Sequence, residues 1–307
     1  MLGTTIKNLK LTKVVDGDTI QVLLNDSEES LRLICLDTEE SWYRGSKPVT
    51  NAGLLASKWA KDFFDTDEQG RPQSEILVNI EFDTNEPVPV CLHKHRGNYG
   101  RLICYVYKNS ENYNLRAVKK GWSPYFVKYG RSCLYHNEFM QAEAEAQANN
   151  LGIWNPDTNA GGNQRDYQAL IPWWYLRDSV VQDYRQWGQQ TGVLSVRLDY
   201  EKIVEAAKQN SQISVLCDLQ SGIDKWLGDG ALIYAGSKTQ RFNLWIPNKN
   251  SRAYQQILKL METRYGGYGR SYVYVSGVAS LYPANENGTP QIVLTDVQQL
   301  ADVAPGR

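Results

Sequence analysis

Short β-type segments separated by turn-forming clusters constrain the fold of this 307-residue chain more than any other feature. Five such segments lie within the first 107 residues, and they read LKLTKVV, TIQVLL, SLRLICL, ILVNIEF and RLICYVY. Strands of this length, joined by turns, are typical of a small closed barrel. Helical patterns at residues 52–64, 113–121 and 136–150 predict three helices beside it, the first with Leu55, Trp59 and Phe63 on one face.

A polar, glycine-rich break, NPDTNAGGNQ, follows the last of these helices and predicts a domain boundary. We expect a first domain at 1–157, a linker and docking helix at 158–190 with Pro172 in its first turn, and a second domain at 191–307. The tail again alternates short strands with turns, which indicates a second small β-barrel, OB-like and carrying helices. The predicted fold class is therefore α+β, mainly β.

Charge and hydropathy exclude several classes of protein. Residues 1–160 carry 18 basic and 21 acidic side chains, a net −3, and the remainder carries 15 and 13, a net +2. Neither half has the strong net positive charge that is typical of a protein that binds nucleic acid by bulk charge. We find no run of about 18 apolar residues and no signal-peptide core, which predicts a cytoplasmic protein without a membrane partner, although a removed secretion signal would leave no trace.

Three polar motifs in the first half share one chemistry. They are DGDT (16–19), RLICLDTEE (32–40) and YGR (99–101). The carboxylates of Asp18 and Asp37, with an oxygen of Thr38, predict a hard-oxygen site that suits Ca²⁺ or Mg²⁺. Asp16 is equally explained as a turn residue, because Asp-Gly is a strong hairpin signal, with Gly17 letting the backbone bend.

Two arginines and a glutamate complete this chemistry. The planar guanidinium groups of Arg32 and Arg101 can each donate two hydrogen bonds to phosphate oxygens. Glu40 can accept a proton from an attacking water. A cation and two arginines stabilise the extra negative charge of a pentacoordinate phosphorus. The set predicts cleavage of phosphodiesters, although a direct structural pair between Arg32 and Asp37 would explain part of it.

The motifs resemble those of the staphylococcal-nuclease-like (thermonuclease) family. That family has DGDT, R-x-x-x-x-DTPE and YGR, then a helix with EAQA followed by L-x-IW. This chain has DGDT, RLICLDTEE, NYGR and EAEAQANNLGIW in the same order, and the resemblance covers about residues 7–155. It implies a five-stranded OB-type barrel with three helices, in agreement with the strand pattern.

The resemblance also implies a cofactor and its ligands. Asp18, Asp37 and the carbonyl of Thr38 would bind Ca²⁺, and Asp16 would be a neighbouring carboxylate that is not a principal ligand. One departure lies beside this site, because Glu39 replaces the family's proline and adds a charge. A long loop, TNEPVPVCLHKHRG, is a second departure.

The remaining roles follow from the same resemblance. Glu40 would be the general base, and Arg32 and Arg101 would hold the phosphate. Tyr99 and Tyr129 match tyrosines near the family's nucleotide pocket. Cleavage would release a 3′-phosphate and a 5′-hydroxyl.

Several other segments have two interpretations each. His93 and His95 are either metal ligands or, in our preferred interpretation, solvated loop residues. The segment RYGGYGRSYVY (264–274) is either a platform for stacking bases or a glycine turn that enters an aromatic strand. The PWW segment (172–174) either stacks bases or, as we prefer, packs between domains.

The sequence therefore predicts a Ca²⁺-dependent nuclease for DNA, with RNA as a further substrate and single strands preferred. The second domain is predicted to aid binding of nucleic acid. Two rival functions remain: a nucleic-acid-binding module without activity, and a scaffold that recruits a protein partner through the C-terminal half. The intact set of motif residues argues against the first rival.

Overall fold

Two compact units make up the protein. The computed structural model describes residues 1–43, 47–160, 162–266 and 271–307. Met1–Gly97 and Arg101–Tyr175 form the first unit, while Asn98–Gly100 and Leu176–Arg307 form the second. Each unit is a five-stranded closed barrel with helices, so the predicted fold class is confirmed. Within the described part of the chain, no helix is both long and apolar enough to cross a membrane.

The first barrel closes through a parallel pair of strands. Its five strands are β1 (Thr5–Asp16), β2 (Thr19–Leu24), β3 (Ser27–Leu33), β4 (Leu77–Glu81) and β5 (Leu102–Lys108), and the short β6 (Glu111–Asn112) pairs with β5 outside the barrel. They follow the order β3-β2-β1-β4-β5-β6, and β3 pairs in parallel with β5 to close the cylinder. Alternate side chains of these strands fill one apolar core, as the alternating pattern predicts.

Among the described residues four α-helices accompany this barrel, one more than predicted. They are α1 (Asn51–Phe63), α2 (Val88–Lys94), α3 (Tyr113–Lys119) and α4 (His136–Ala148). The three predicted helices are confirmed, but α2 lies in the segment that the sequence suggests is a loop. His93 therefore belongs to a helix, and His95 follows it with Nε2 2.6 Å from a carboxylate oxygen of Glu86. His93 is exposed as predicted but helical, whereas His95 lies outside the helix but is partly buried against Glu86, so the interpretation as solvated loop residues is only partly correct.

Helix α1 buries small residues. The predicted apolar face is only partly correct, because Leu55 is exposed while Trp59 and Phe63 are partly buried against the core. The fully buried face instead comprises Ala52, Gly53, Ala56, Ser57 and Ala60. A Cβ atom at Gly53 would lie 2.1 Å from the carbonyl oxygen of Glu40, so the helix packs directly on the backbone of the DTEE motif.

The second unit repeats the strand order of the first. Its strands are β7 (Leu194–Ser195), β8 (Gln212–Leu219), β9 (Lys225–Leu227), β10 (Gly230–Gly236), β11 (Arg241–Ile246), β12 (Ser271–Tyr282), β13 (Thr289–Val293) and β14 (Leu300–Ala301). The barrel runs β8-β10-β11-β13-β12 and closes where β12 pairs with β8. In both barrels the third and fifth strands pair in parallel, so the second is OB-like as predicted.

The described part of the second half contains three further α-helices: α5 (Tyr167–Asp183), α6 (Tyr200–Lys208) and α7 (Arg252–Leu260). The boundary between the units falls within α5. Pro172 lies inside this helix as its sixth residue, so the prediction that it occupies the first turn is wrong. The buried ring of Trp174 packs edge-on against Phe126 at 4.8 Å, which ties the start of α5 to the core of the first unit.

Candidate active site

The DGDT motif forms the tight connection between β1 and β2. Asp18 is only 4% exposed, and its backbone N–H donates to a carboxylate oxygen of Asp16 at 3.1 Å. The hydroxyl of Tyr113 donates to the carbonyl of Gly17 at 2.8 Å and fixes the turn to α3. A Cβ atom at Gly17 would lie 2.7 Å from Cγ2 of Thr38, so this position requires glycine because the DTEE motif approaches it closely.

The chain turns sharply after β3 to present Asp37. Cys35 adopts a φ of 64°, in the left-handed region that costs a non-glycine residue about 1–2 kcal/mol. Neighbouring segments hold this conformation: the N–H of Phe126 donates to the Cys35 carbonyl at 3.0 Å, and the amide of Asn114 donates to the Ile34 carbonyl at 2.9 Å. The N–H of Asp37 then donates to Oγ of Ser123 at 2.9 Å, which fixes the backbone of the motif.

Arg32 joins the two predicted metal-binding carboxylates. Its position is set by the sheet, because Arg32 on β3 pairs directly with Thr19 on β2, next to Asp18. Nη1 forms an ion pair with Asp18, and Nη2 donates to Asp37 at 2.7 Å. The pair between Arg32 and Asp37 that the sequence left open is therefore present, and the structure brings the two carboxylates together around one guanidinium.

The charges in this network shift the pKa values of its carboxyl groups. Burial opposes ionisation of Asp37, but the guanidinium groups of Arg165 and Arg32 outweigh it and hold the pKa of Asp37 well below its usual range. Asp16 responds in the opposite direction, since burial and the nearby charge of Asp18 raise its pKa to about 7. The two carboxylates of DGDT are thus not equivalent: Asp18 pairs with arginine, and Asp16 accepts the N–H of the turn.

Arg101 and Glu40 flank the network. Nη1 of Arg101, the residue before β5, donates to Oγ1 of Thr19 at 3.1 Å, and that hydroxyl donates in turn to Asp18 at 2.9 Å. Glu40 follows Asp37 by three residues, but its carboxylate accepts from Lys47 at 3.1 Å. The structure therefore places Arg101 beside Asp18 through one hydroxyl, and it turns Glu40 toward a lysine.

The two predicted substrate-binding tyrosines are both exposed. Tyr129 is 41% exposed, and its ring packs edge-on against Phe126 at 5.3 Å between centroids. Tyr99 is 64% exposed and lies in the short segment that groups with the second unit. Each ring carries a lysine ammonium, since Nζ of Lys128 lies 5.8 Å from the ring centroid of Tyr129 and Nζ of Lys238 lies 4.4 Å from that of Tyr99.

A third arginine, which the sequence did not indicate, binds the same motif. Nη1 of Arg165 donates to Oδ2 of Asp37 at 2.7 Å and to the Asp37 carbonyl at 3.1 Å, while Nη2 donates to the Thr38 carbonyl at 2.9 Å. The neighbouring Glu39, 2% exposed, accepts the hydroxyl of Tyr167 at 2.9 Å. Glu39 thus has a structural partner in the residues that follow the first predicted domain.

The oxygen atoms of the motif fit a hard divalent cation. Asp18, Asp37 and the Thr38 carbonyl supply only oxygen, and the guanidinium groups of Arg32 and Arg165 already bind these atoms. Among the described residues, no group of three or more His, Cys, Asp or Glu side chains could hold a metal ion. Further coordination would have to come from carbonyl or water oxygens, which Ca²⁺ accepts readily.

Two aromatic segments are not stacking surfaces where they are described. Residues 267–270 of the RYGGYGRSYVY segment lie outside the described residues, while Tyr272 and Tyr274 on β12 are 5% and 0% exposed. A platform built on these two rings is therefore wrong. In the PWW segment Trp174 is buried in the first unit, and the ring of Trp173 lies 4.5 Å from Nζ of Lys128.

Comparisons with known proteins relate the first half of the chain to nucleases. A family model described as staphylococcal nuclease homologue matches residues 30–156. Endonuclease YncB of Bacillus subtilis (strain 168) is 28% identical over 159 residues, which cover 51% of this chain and 67% of the relative. A thermonuclease of Staphylococcus intermedius is 30% identical over 142 residues, covering 46% of this chain and 73% of the relative.

A prophage-derived relative matches a smaller part of its own length. The SPbeta prophage-derived endonuclease YokF of Bacillus subtilis is 28% identical over 148 residues, which cover 48% of this chain and 44% of the relative. These similarities extend over about half of this chain, and the family-model match at residues 30–156 includes the DTEE and YGR motifs of the first unit.

Proposed function

Because the chain belongs to the staphylococcal nuclease homologue family, we propose that it is a Ca²⁺-dependent nuclease that hydrolyses phosphodiester bonds of DNA and of RNA. The observation that carries this proposal is the network in which Arg32 binds both Asp18 and Asp37. A structural ion pair needs one carboxylate. Two carboxylates with a backbone carbonyl beside them, facing arginines, instead suit a cation and a phosphate.

Each residue of the network has a role in this proposal. Asp18, Asp37 and the Thr38 carbonyl would hold the cation, which when bound supplies positive charge to a phosphoryl oxygen. Arg32 and Arg101 would bind the scissile phosphate and stabilise the charge that grows on it. Thr19 positions Arg101 through the hydroxyl bond at 3.1 Å, and Asp18 accepts the proton of that hydroxyl.

Glu40 would accept the proton of the attacking water. Its carboxylate is only partly exposed, and its backbone is fixed between Thr50 and the close contact with Gly53. Its present partner is Nζ of Lys47 at 3.1 Å, and a general base needs a water molecule at that position. In the working enzyme this carboxylate would exchange Lys47 for water.

A substrate panel tests this proposal. Full-length protein with Ca²⁺ is incubated with single- and double-stranded DNA and RNA of the same sequence, labelled at either end. We expect fastest cleavage of single strands, because their phosphates enter a small pocket without duplex opening, and products with 3′-phosphate and 5′-hydroxyl ends. Binding without cleavage of every substrate would contradict the proposal and favour a binding module.

We further propose that the C-terminal domain aids binding of nucleic acid. The support is two groups of cations and aromatic rings on β9, β10, β11 and the turn after β11, one around Tyr234 and one at Trp226. Nζ of Lys225 lies 5.7 Å from the ring centroid of Tyr234, and Cζ of Arg241 lies 4.7 Å from it. Nζ of Lys249 lies 5.6 Å from the ring of Trp226, which is 50% exposed. Phosphates and bases of a single strand require these two kinds of group.

The acidic residues near these groups leave their positive charge in excess. Asp224 is engaged by the protein, since its carboxylate accepts the N–H of Tyr234 at 2.6 Å and the hydroxyl of Ser221 at 2.8 Å. Between Ser221 and Ser251 the sequence contains four basic residues and two acidic ones. The ring of Trp245 on β11 contacts Gly230, where a Cβ atom would lie 2.0 Å from it.

Removing two cations of the Tyr234 group should weaken the binding of single strands. We expect Lys225→Gln with Arg241→Gln to reduce the slope of log affinity against log salt by about 1.4, because each lost phosphate contact contributes about 0.7. Affinity for a single-stranded oligonucleotide, measured by fluorescence anisotropy over several salt concentrations, gives this slope.

A matched control removes two cations elsewhere in the same unit. Lys202 and Lys208 on α6 pair with carboxylates in their own helix or at its start, so Lys202→Gln with Lys208→Gln should leave the salt slope unchanged. Equal slopes for both double variants and the wild type would show that the Tyr234 group does not bind phosphates.

A further inference from the structure

Arg165 binds the oxygen atoms to which a divalent cation would bind. Its two terminal nitrogens lie 2.7 Å from a carboxylate oxygen of Asp37 and 2.9 Å from the carbonyl oxygen of Thr38. A Ca²⁺ ion bound to the same two atoms would lie about 2.3–2.6 Å from each. The guanidinium and the ion would then occupy overlapping space and carry like charge, so they cannot bind these oxygens together.

The residues around Arg165 are hydrogen-bonded to the DTEE motif and to the start of α1. The backbone N–H of Arg165 donates to Glu39 at 3.4 Å, and the hydroxyl of Tyr167 donates to the same carboxylate oxygen at 2.9 Å. Upstream, Oδ1 of Asn159 accepts the N–H of Ala52 at 2.9 Å at the start of α1. We call the segment Arg165–Tyr167 the strap. Its contacts fix the guanidinium in place over Asp37.

Glu39 explains why the strap binds here. A buried carboxylate is costly unless hydrogen-bond donors satisfy it, and the strap supplies the donors to Glu39. The residue that departs from the nuclease motif at this position therefore anchors the segment that carries Arg165. Glu39 and Arg165 therefore act together, since Glu39 holds the segment from which Arg165 reaches Asp37.

We propose that Arg165 is a built-in competitor of the divalent cation: it occupies the Asp37 and Thr38 oxygens when no cation is bound and leaves them when one binds. This inference rests on the proposed function, since it concerns control of the same site. Because the strap competes for the same oxygens, a higher cation concentration would be needed to fill the site. Release of the strap would also free a third arginine beside the phosphate site.

Calcium affinity of the full chain, measured by isothermal titration calorimetry without nucleic acid, tests the competition. If the strap-bound state outweighs the released state by roughly ten to one, Arg165→Gln should tighten Ca²⁺ binding by about tenfold. Tyr167→Phe keeps the arginine but removes one donor to Glu39, so it should tighten binding by a smaller factor. Calcium affinity in Arg165→Gln equal to or weaker than in wild type would overturn the proposal.

Arg116→Gln is the matched control for lost charge. Arg116 lies on α3 of the same unit and pairs with Glu111 at the surface. Its loss removes one positive charge without touching the motif, so calcium affinity should stay within about twofold of wild type, as expected of an exposed pair. If Ca²⁺ binds equally more tightly to Arg116→Gln and to Arg165→Gln, the effect is due to net charge alone. That result would contradict competition between Arg165 and the cation.

Hydrogen exchange of the wild-type protein tests the release itself and does not require a variant to fold. The amide of Arg165 is hydrogen-bonded to Glu39 in the structure, so peptides covering residues 162–170 should exchange slowly without Ca²⁺. We expect faster exchange of these peptides when Ca²⁺ is added. Unchanged or slower exchange with Ca²⁺ bound would overturn release of the strap.

The results separate failure of this inference from failure of the proposed function. Calcium binding and calcium-dependent cleavage that are identical in wild type and Arg165→Gln would overturn the competitor alone. Absence of calcium binding in wild type and every variant would overturn the calcium site, and the competitor with it.

Discussion

Replacing Arg32 by alanine should lower the rate of phosphodiester cleavage by about 10²–10³-fold, as typical for removing one group that stabilises transition-state charge. The guanidinium of Arg32 binds both Asp18 and Asp37. Steady-state cleavage of a labelled single-stranded oligonucleotide with saturating Ca²⁺ measures the loss. The change should appear mainly in kcat, because the charge develops after the substrate has bound.

The same variant should be less stable, and this effect can be separated from the chemistry. Removing one partner of a largely buried pair costs roughly 3 kcal/mol, and added Ca²⁺ should recover part of it by offsetting the two carboxylates. Arg32→Lys keeps the charge and should keep most of the stability, yet it loses the two-pronged geometry and should remain slow. Arg116→Ala is the control on α3. An Arg32→Lys enzyme with the full wild-type rate would contradict the role of Arg32 at phosphate.

Replacing Glu40 by glutamine should lower kcat by about 10²–10⁴-fold, the range expected for loss of a general base. Glutamine has nearly the same shape but cannot accept the proton of water, so binding of substrate and Ca²⁺ should change little. Single-turnover cleavage, with calcium affinity measured separately, distinguishes these quantities.

A surface glutamate provides the control for this change. Glu75 lies just before β4 in the same unit and makes only a 3.9 Å contact with Lys10, so Glu75→Gln should cleave at the wild-type rate. Glu40 pairs with Lys47 in the structure, so a second interpretation is that it only fixes the loop. A Glu40→Gln rate within threefold of wild type would support that interpretation and exclude Glu40 as the base.

Sequence motifs predicted most of the network because the sheet register converts spacing into proximity. Thr19 and Arg32 are direct partners on β2 and β3, so Asp18 must lie beside Arg32 once these strands pair. Asp37 follows the end of β3 by four residues, so it also lies close to Arg32. The motifs therefore fixed which residues meet, and the structure added that the two carboxylates share one guanidinium.

The strap could not be predicted because its contacts span long stretches of sequence. Arg165 and Asp37 are separated by 128 residues, and Arg165 lies in a polar segment whose composition is typical of a linker. Glu39 was recognised only as a departure from a motif. Its charge beside the site was the available sequence signal for a distant partner, because a carboxylate that becomes buried requires hydrogen-bond donors.

Local sequence patterns also gave wrong predictions for α1 and β12, where tertiary packing decides which side chains are buried. Large apolar residues at four-residue spacing predicted the buried face of α1, but the helix approaches the Glu40 backbone so closely that only small residues such as Gly53 fit. On β12, aromatic residues suggested an exposed platform, whereas Tyr274 is buried and its hydroxyl donates to Asp183 at 2.8 Å. Tertiary contacts decided both cases.

The dependence of cleavage on Ca²⁺ tests the central claim most directly. Initial rates on single-stranded DNA are measured for the full chain without added cation, with increasing Ca²⁺, after excess chelator and after restoring Ca²⁺, beside the Asp37→Asn variant. The account predicts cleavage that rises to a plateau with Ca²⁺, stops with chelator, returns with Ca²⁺ and is strongly reduced in Asp37→Asn. Cleavage that persists in chelator, or an Asp37→Asn enzyme with the wild-type calcium response, would contradict it.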